Sequence, residues 1–457
     1  MLKHSSARLA ILAALSALLA NACKTTDGKD KGDLISIDCK TPPPTRTDFD
    51  EDGKTMIAQG PVDLAGEPCE KVAAAPKLRP GTVKTGKWTM YQNGKMFQTG
   101  TYVAGKKDGR WEVFSVNNNL VRISNYVAAD LEGEDLVNFD KPEALWKSKT
   151  HYEKGKKNGP YSARTSTEAQ CITEGNYRSD KKSGKWRECK IDPQTKTDYL
   201  AFEGSYVEGM RSGPVKYYYP GSKVESQGSI LADTACTKQV EERFEAKFKD
   251  KTPTKDDNDE KQRQLTACEK LIGAWVFYNP GGTKRAEGSY DDGKRTGAWN
   301  EYYKTGTELG VGRYEKGKRM EWAFFDKSGT KRLDADFAGN PLMPKTVQIY
   351  ENGSLTGGGG VAMGTVKYNP ETDSLDIQEF SKKGEWIEYH SNGKVSGRGQ
   401  YSMSKRSGMW KHFDESGQLV AEGTYSMNTK HGEWREMKGG QFVTTKYFMG
   451  KVNTIGR

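Results

Sequence analysis

Residues that could carry out chemistry are few in this chain and lie far apart. Of the five histidines, His412 and His431 occupy different positions in the surrounding sequence pattern, so they are not expected to share a metal. The acidic pair Asp291-Asp292 lies in a polar run without a nearby histidine or nucleophile to complete a catalytic set. The run Gly357–Ala362 formally contains Gly-x-Gly-x-x-Ala. No strand–helix pattern surrounds it and no lysine follows at phosphate-loop spacing, so we interpret it as a flexible loop. The sequence therefore predicts no enzyme, no metal site and no cofactor.

The N-terminus has the features of a secretory signal spanning residues 1–22. A basic start is followed by an apolar run, Leu9–Ala20, and by small residues. This run is too short to cross a bilayer. Two cleavage sites are consistent with it, an ordinary Ala-x-Ala site at Ala20-Asn21-Ala22 and a bacterial lipoprotein site in which Cys23 becomes the lipid-bearing N-terminus. Both predict an exported protein.

The cysteine count favours the lipoprotein interpretation. Seven cysteines leave one unpaired in an exported chain, whereas a lipid on Cys23 leaves six for disulfides. Six cysteines allow fifteen pairings. Proximity in the sequence suggests Cys39 with Cys69, Cys171 with Cys189, and Cys236 with Cys268. Lys24 lacks the aspartate that would suggest inner-membrane retention, so we expect an outer-membrane lipoprotein.

The elements that position these residues follow from one repeated pattern. Gly-x-Tyr, a basic turn and Gly-x-Trp recur, with the two aromatic residues nine positions apart: Tyr102 and Trp111, Tyr177 and Trp186, Tyr290 and Trp299, Tyr401 and Trp410, and Tyr425 and Trp434. Successive tryptophans are often 23 or 24 residues apart. Such a period indicates a stacked repeat array.

Each repeat is expected to be a β-hairpin. Asp292-Gly293 is a strong hairpin turn signal between two aromatic runs of ordinary strand length. One hairpin cannot bury enough surface alone, so neighbouring hairpins must share their rings as a continuous core. The predicted core also includes Trp88, Tyr206, Trp275, Tyr314, Trp322 and Trp386.

The unit resembles the MORN (membrane occupation and recognition nexus) repeat, especially its bacterial variant. The clearest copies are Gly100–Phe114, Gly288–Tyr302, Gly399–Phe413 and Gly423–Met437, and the segment 334–381 is degenerate. The resemblance implies an elongated, twisted antiparallel sheet that serves as a scaffold or binding platform, with membrane association proposed for some members. Bacterial members are sometimes labelled as antitoxins, a role that here would require the N-terminal signal to be unused.

Two segments depart from the repeat. Residues 231–272 place Val240, Phe244 and Phe248 four apart, which indicates a helical insertion. Residues 23–85 are polar and include Pro42-Pro43-Pro44, which predicts a flexible, largely disordered tether. The fold is therefore expected to be mostly β, with domains at 1–22 (signal), 23–85 (tether), 86–230 (repeats), 231–272 (helical insertion) and 273–457 (repeats).

Basic residues recur in pairs at the turns. Stacked turns would align them as a basic edge: Lys106-Lys107, Lys156-Lys157, Lys181-Lys182, Lys294-Arg295, Lys318-Arg319 and Lys405-Arg406. Such an edge could meet anionic lipid, acidic polysaccharide or an acidic partner, or could simply prevent edge-to-edge aggregation. The net charge is +10, and loss of Lys3 and Arg8 with the signal leaves +8.

The leading functional hypothesis is a non-catalytic envelope lipoprotein that acts as a repeat scaffold for another envelope protein. The alternative is a lipid- or glycan-binding protein that uses the basic edge and exposed aromatic residues. Nucleic acid is not expected as a partner of an exported chain.

Overall fold

A computed structural model describes residues 35–40, 42–50, 54–73, 83–143, 145–249 and 251–453. The signal and Cys23 lie outside these residues. The chain divides into two compact units, Met1–Lys156 and Lys157–Arg457. Each unit is an antiparallel array of β-hairpins, as the sequence predicts.

The strands of the first unit are β1 (Ile35–Asp38), β2 (Thr45–Phe49), β3 (Met56–Asp63), β4 (Val83–Lys84), β5 (Gly86–Gln92), β6 (Lys95–Val103), β7 (Lys106–Phe114), β8 (Leu120–Val127), β9 (Asp130–Leu131), β10 (Gly133–Asn138) and β11 (Trp146–Glu153), with helix α1 at Cys69–Ala73. Strands β5 to β8 pair in chain order and continue through β10 to β11. β3 joins β5 through Ala58 and Gln59, and β2 and β1 pair beyond it.

Ordered structure therefore begins well before Gly86, inside the segment expected to be a tether. Residues Ala58, Gly60 and Val62 alternate toward the core, and Val62 is fully buried. The Trp88 indole donates a hydrogen bond to the Pro61 carbonyl at 2.8 Å. The polar composition of this segment did not indicate strand β3, whose inward residues are small enough to pack against Trp88.

The strands of the second unit are β12 (Lys156–Arg164), β13 (Ile172–Arg178), β14 (Lys181–Ile191), β15 (Asp198–Val207), β16 (Met210–Tyr218), β17 (Val224–Ala232), β18 (Glu269–Tyr278), β19 (Lys284–Asp291), β20 (Lys294–Tyr302), β21 (Glu308–Glu315), β22 (Lys318–Phe325), β23 (Lys331–Asp336), β24 (Thr346–Glu351), β25 (Ser354–Met363), β26 (Val366–Asn369), β27 (Ser374–Ile377), β28 (Ser381–Tyr389), β29 (Val395–Ser402), β30 (Lys405–Phe413), β31 (Leu419–Ser426), β32 (Thr429–Lys438), β33 (Gln441–Phe448) and β34 (Lys451–Val452).

Strands β12 to β25 pair in chain order, β25 then pairs with β28, and β28 to β34 continue the array. The hairpin β26–β27 forms a separate two-stranded sheet. The glycine run 357–360, expected to be a flexible loop, lies in β25. A Cβ on Gly359 would lie 2.4 Å from the Glu385 carbonyl oxygen, so these glycines allow close approach of neighbouring strands.

Helices α2 (Thr234–Lys247) and α3 (Lys255–Ala267) form the predicted insertion between β17 and β18. Asp233 caps α2 through the Cys236 N–H, and Thr254 and Asp257 form a capping box on α3. The disulfide Cys236–Cys268 closes the base of this insertion. Cys39–Cys69 and Cys171–Cys189 are the other two disulfides, in the proposed pairing. No helix within the described ranges is long and apolar enough to cross a membrane.

Candidate interaction surfaces

The tryptophan of each repeat lies against a glycine on the neighbouring strand. In the repeat that ends at Trp434, the indole covers Gly423, where an added Cβ would lie 2.4 Å from the ring. The same relationship holds for Gly100 with Trp111, Gly175 with Trp186, Gly288 with Trp299 and Gly399 with Trp410. The first glycine of Gly-x-Tyr therefore leaves the space that the indole occupies. The turn pattern of the sequence does not indicate this role.

The same indoles are fixed by hydrogen bonds and by ring contacts. Trp410 Nε1 donates to the Gln400 carbonyl at 2.9 Å, and its ring contacts Tyr401 edge-on at 5.2 Å. Equivalent indole bonds are made by Trp111, Trp186, Trp275, Trp299, Trp386 and Trp434. Trp322 is buried, but its Nε1 has no acceptor among the described residues, and it follows Tyr314 by eight positions rather than nine. Among the described residues, the aromatic side chains predicted as core residues thus fill the interior.

The second residue of each basic pair points into the array. Consecutive strand residues face opposite sides of a sheet, so the two members of a pair separate. The cation of Arg406 lies 4.8 Å from the Trp410 ring and 2.7 Å from Glu388. Lys107, Lys182, Arg295 and Arg319 lie 4.2 to 4.6 Å from Trp111, Trp186, Trp299 and Trp322, and Lys157 lies 5.0 Å from Tyr177.

Burial changes the electrostatics of these inward cations. Burial, with the neighbouring charges of Arg122 and Lys84, lowers the pKa of Lys107. Burial also lowers the pKa of Arg319, whose guanidinium contacts the rings of Trp322, Phe324 and Phe337. These cations act as packing groups over aromatic faces.

The first residue of each pair stays near the solvent. Lys106, Lys156, Lys294, Lys318 and Lys405 are exposed. Lys181 is half-buried, because its ammonium pairs with Glu241 of α2 at 3.1 Å. Successive turns of the second unit are also linked by backbone bonds, as between Asn428 N–H and the Arg406 carbonyl. The basic edge predicted from the sequence thus keeps about half of its charges exposed.

The outward face of the second unit contains a groove of about 590 Å³. It crosses strands β21 to β25 and β28, which include and flank the degenerate segment 334–381. Its lining includes the small or apolar residues Val311, Ala323 and Gly358, together with Ile387 and Tyr389. In regular repeats the corresponding outward positions carry longer residues such as Lys411 and Arg435. The loss of the repeat motif here coincides with loss of the side chains that would fill the groove.

Three carboxylates also line this groove, and Asp334 lies directly opposite Ala323 on the neighbouring strand. Glu321 accepts two hydrogen bonds from Arg313, at 2.5 and 3.1 Å, which lower the pKa of Glu321. Asp334 accepts from the Tyr350 hydroxyl at 2.7 Å. Asp336 accepts from the Ala338 N–H at 2.8 Å. The groove therefore combines small and apolar residues with hydrogen-bonded carboxylates.

His412 and His431, from successive repeats, each pack against aromatic rings. No group of three or more potential metal ligands occurs within the described part of the chain. His412 instead stacks between Trp410 and Trp434, with centroids 5.8 and 6.1 Å away, and burial lowers its pKa. His431 contacts Phe448.

These features define a β-hairpin repeat protein in which the repeated residues build the interior. Residues 382–403 and 406–427 match the family model described as the MORN repeat variant. This match supports the resemblance of the repeats to the MORN family. No curated protein matches the chain.

The solved structures it matches include the crystal structure of TcdB2-TccC3-Cdc42, at 13% identity and a TM-score of 0.15, covering 90% of this chain and 19% of that chain. Another is the Tc holotoxin pore of Photorhabdus luminescens, at 12% identity and a TM-score of 0.16, covering 94% and 20%. The chain spans about one fifth of the length of these structures. Likeness at this level carries no argument about function.

Proposed function

We propose that this chain is a non-catalytic repeat scaffold that binds another protein through the outward face of its second unit. The observation that supports this proposal most directly is the open groove that Val311, Ala323 and Gly358 help to line. The motif residues face inward and set the fold, so recognition falls to the outward side chains, which vary between repeats. Protein-binding surfaces usually combine apolar area with hydrogen-bonding groups, as this groove does.

The charge distribution favours a protein partner over an anionic polymer at this groove. Glu321, Asp334 and Asp336 line the groove and no lysine or arginine of the described residues does, so it offers no lining cation to phosphate or uronate groups, although Arg313 pairs with Glu321 and Lys331 with Asp334. The inward cations, such as Arg406, are already engaged by Trp410 and Glu388. The partner segment that suits the groove is apolar with flanking lysine or arginine.

We also propose that the protein acts outside the cytoplasm, in the bacterial envelope. Three disulfides suit an oxidising, exported environment. We place the chain on the bacterial outer membrane through a lipid on Cys23. Metabolic labelling with a palmitate analogue should mark the wild-type protein and not Cys23→Ser. Equal labelling of both would exclude this anchor, whereas an unlabelled but exported wild type would indicate the Ala-x-Ala cleavage site.

Site-specific photocross-linking tests the groove. A benzoylphenylalanine at Ala323 is expected to capture a discrete protein in the native envelope. The same group at Ala274, an exposed outward residue of β18 away from the groove, serves as the control. Adducts at Ala274 alone, or none at either position, would contradict the proposed surface.

A second candidate, binding of anionic lipid or acidic polysaccharide, rests on the exposed lysines at the turns. Lys294, Lys318 and Lys405 are exposed on successive parts of the second unit. Such binding should weaken steeply with salt, because exposed charges are screened. Sedimentation with vesicles containing anionic lipid tests it, with Lys294→Glu and Lys405→Glu expected to abolish binding.

A further inference from the structure

Strand β33 of the second unit has an edge that is only partly covered. It pairs with β32 from Gln441 to Tyr447. On its other side β34 pairs with Tyr447 and Phe448, and the Asn453 N–H donates to the Lys446 carbonyl. Among the residues that the structure describes, Gln441–Thr445 therefore have a strand neighbour on one side.

The backbone groups on this edge can be assigned from the Lys446 bond. Because the Lys446 carbonyl faces β34, the N–H and C=O groups of Lys446 both point away from β32. Alternate residues of an antiparallel strand point their backbone groups to the same side. The N–H and C=O groups of Phe442 and Thr444 thus face away from β32, along an edge on which they have no strand neighbour among residues 35–453 as the structure describes them.

This edge lacks the features that normally prevent strand addition. Residues 441–445 include no proline and no charged residue. The β32–β33 pair has no register shift, whereas β31–β32 is interrupted between Gly423 and Thr424. Phe442 and Val443 are 39% and 41% exposed. Natural sheets usually protect such an edge with bulges, prolines or lysines.

We propose that this edge pairs with the same edge of a second copy of the chain. An antiparallel pair centred on Val443 places Phe442 of each copy opposite Thr444 of the other. That register pairs the outward N–H and C=O groups of both residues in both copies. It sets Val443 against its own equivalent and brings no like charges together within 441–445. A two-fold interface requires such self-complementarity, and the edge is separate from the groove.

Mass measurement tests the dimer. The full chain carrying Cys23→Ser is expected to sediment as two copies at micromolar concentration. Thr444→Pro removes an outward N–H without touching the β32 ladder, and should raise the dimer dissociation constant by roughly tenfold or more. Thr444→Val retains that N–H and should dimerise normally.

A charge introduced at the edge provides an independent variant. Phe442→Lys should also weaken the dimer, whereas Met409→Lys, at an exposed position on internal strand β30, should not. Circular dichroism of each variant establishes that the array is folded. A monomeric wild type, or a dimer unaffected by both edge variants, would overturn the proposal.

Cysteine cross-linking tests the register. Residues opposite each other in a non-hydrogen-bonded antiparallel pair have Cα atoms about 4.5 Å apart, within the range that a disulfide spans. Val443→Cys should therefore form an intermolecular disulfide under mild oxidation. Thr445→Cys, which faces Gln441 of the second copy, should cross-link at least several-fold less. Equal cross-linking at the two positions, or capture of a different protein by Val443→Cys, would contradict the self-paired edge.

Discussion

Gly423 lies directly beneath the indole of Trp434, so that a methyl group added to its α-carbon would sit 2.4 Å from the ring. This contact explains why glycine and tryptophan recur together in the repeat. The ring covers the backbone of the adjacent strand, and no other residue type leaves room for it.

Gly423→Ala should therefore destabilise the second unit by about 1–3 kcal/mol, the usual cost of overpacking a core. Urea unfolding followed by tryptophan fluorescence measures it. Gly281→Ala is the control, because a Cβ there meets nothing within 4 Å. Equal stability of the two variants would contradict the proposed packing of the Trp434 indole against Gly423.

Arg406 and Lys405 should respond differently to the same substitution. Arg406→Ala removes the contacts to Trp410 and Glu388 and should cost about 1–2 kcal/mol of unfolding free energy. Lys405→Ala should change it by less than about 0.5 kcal/mol, because that side chain is exposed. A larger loss for Lys405→Ala would mean that the exposed cations, rather than the inward ones, support the fold.

The tyrosines bonded to carboxylates should make the fold sensitive to alkali. Burial and the hydrogen bond to Glu388 raise the pKa of Tyr401 to about 12. Burial and the bond to Asp334 raise the pKa of Tyr350 to about 12. The unfolded chain loses these protons near pH 10, so the stabilisation is complete below about pH 10 and falls as the pH rises toward 12.

Urea unfolding at increasing alkaline pH, with tyrosinate absorbance recorded in parallel, measures this effect. Tyr401→Phe should reduce the pH dependence, since it removes one of the shifted groups. Ionisation of all tyrosines near pH 10 in a fully folded protein would contradict the assignment.

The disulfide Cys236–Cys268 should hold the helical insertion in place. Replacing both cysteines by serine should expose the connection between α2 and α3 to trypsin, which can cut after Lys247 and Lys249. The two helices contribute little buried surface of their own, with Thr237 the buried residue of α2. Replacing Cys171 and Cys189 is the control and should leave cleavage there unchanged. Resistance of both variants would show that packing alone secures the helices.

Periodicity was sufficient to predict the hairpins, the aromatic core and the helical insertion. Spacing along the chain reports which residues share a strand, and the five Tyr–Trp pairs do so repeatedly. Spacing does not indicate which face of the sheet each member of a basic pair occupies. The separation of Lys405 from Arg406 therefore appeared in the structure alone.

Departures from the repeat were harder to interpret. The glycine run 357–360 contains no side chain to indicate a strand, and its pairing with β24 and β28 depends on neighbours distant in sequence. The groove is formed by residues from several strands, including Val311 and Ile387. Its position follows from strand register, which the degenerate sequence does not specify.

The most direct test of the scaffold proposal is a cross-linked pull-down from the native envelope with a high-salt wash, comparing the wild type, Ala323→Trp and Ala274→Trp. Ala323→Trp fills the groove without changing its charge. The wild type and Ala274→Trp are expected to retain the same protein in stoichiometric amount after the wash, and Ala323→Trp is expected to lose it. Equal retention by all three, or recovery of lipid or polysaccharide alone that the wash removes, would contradict it.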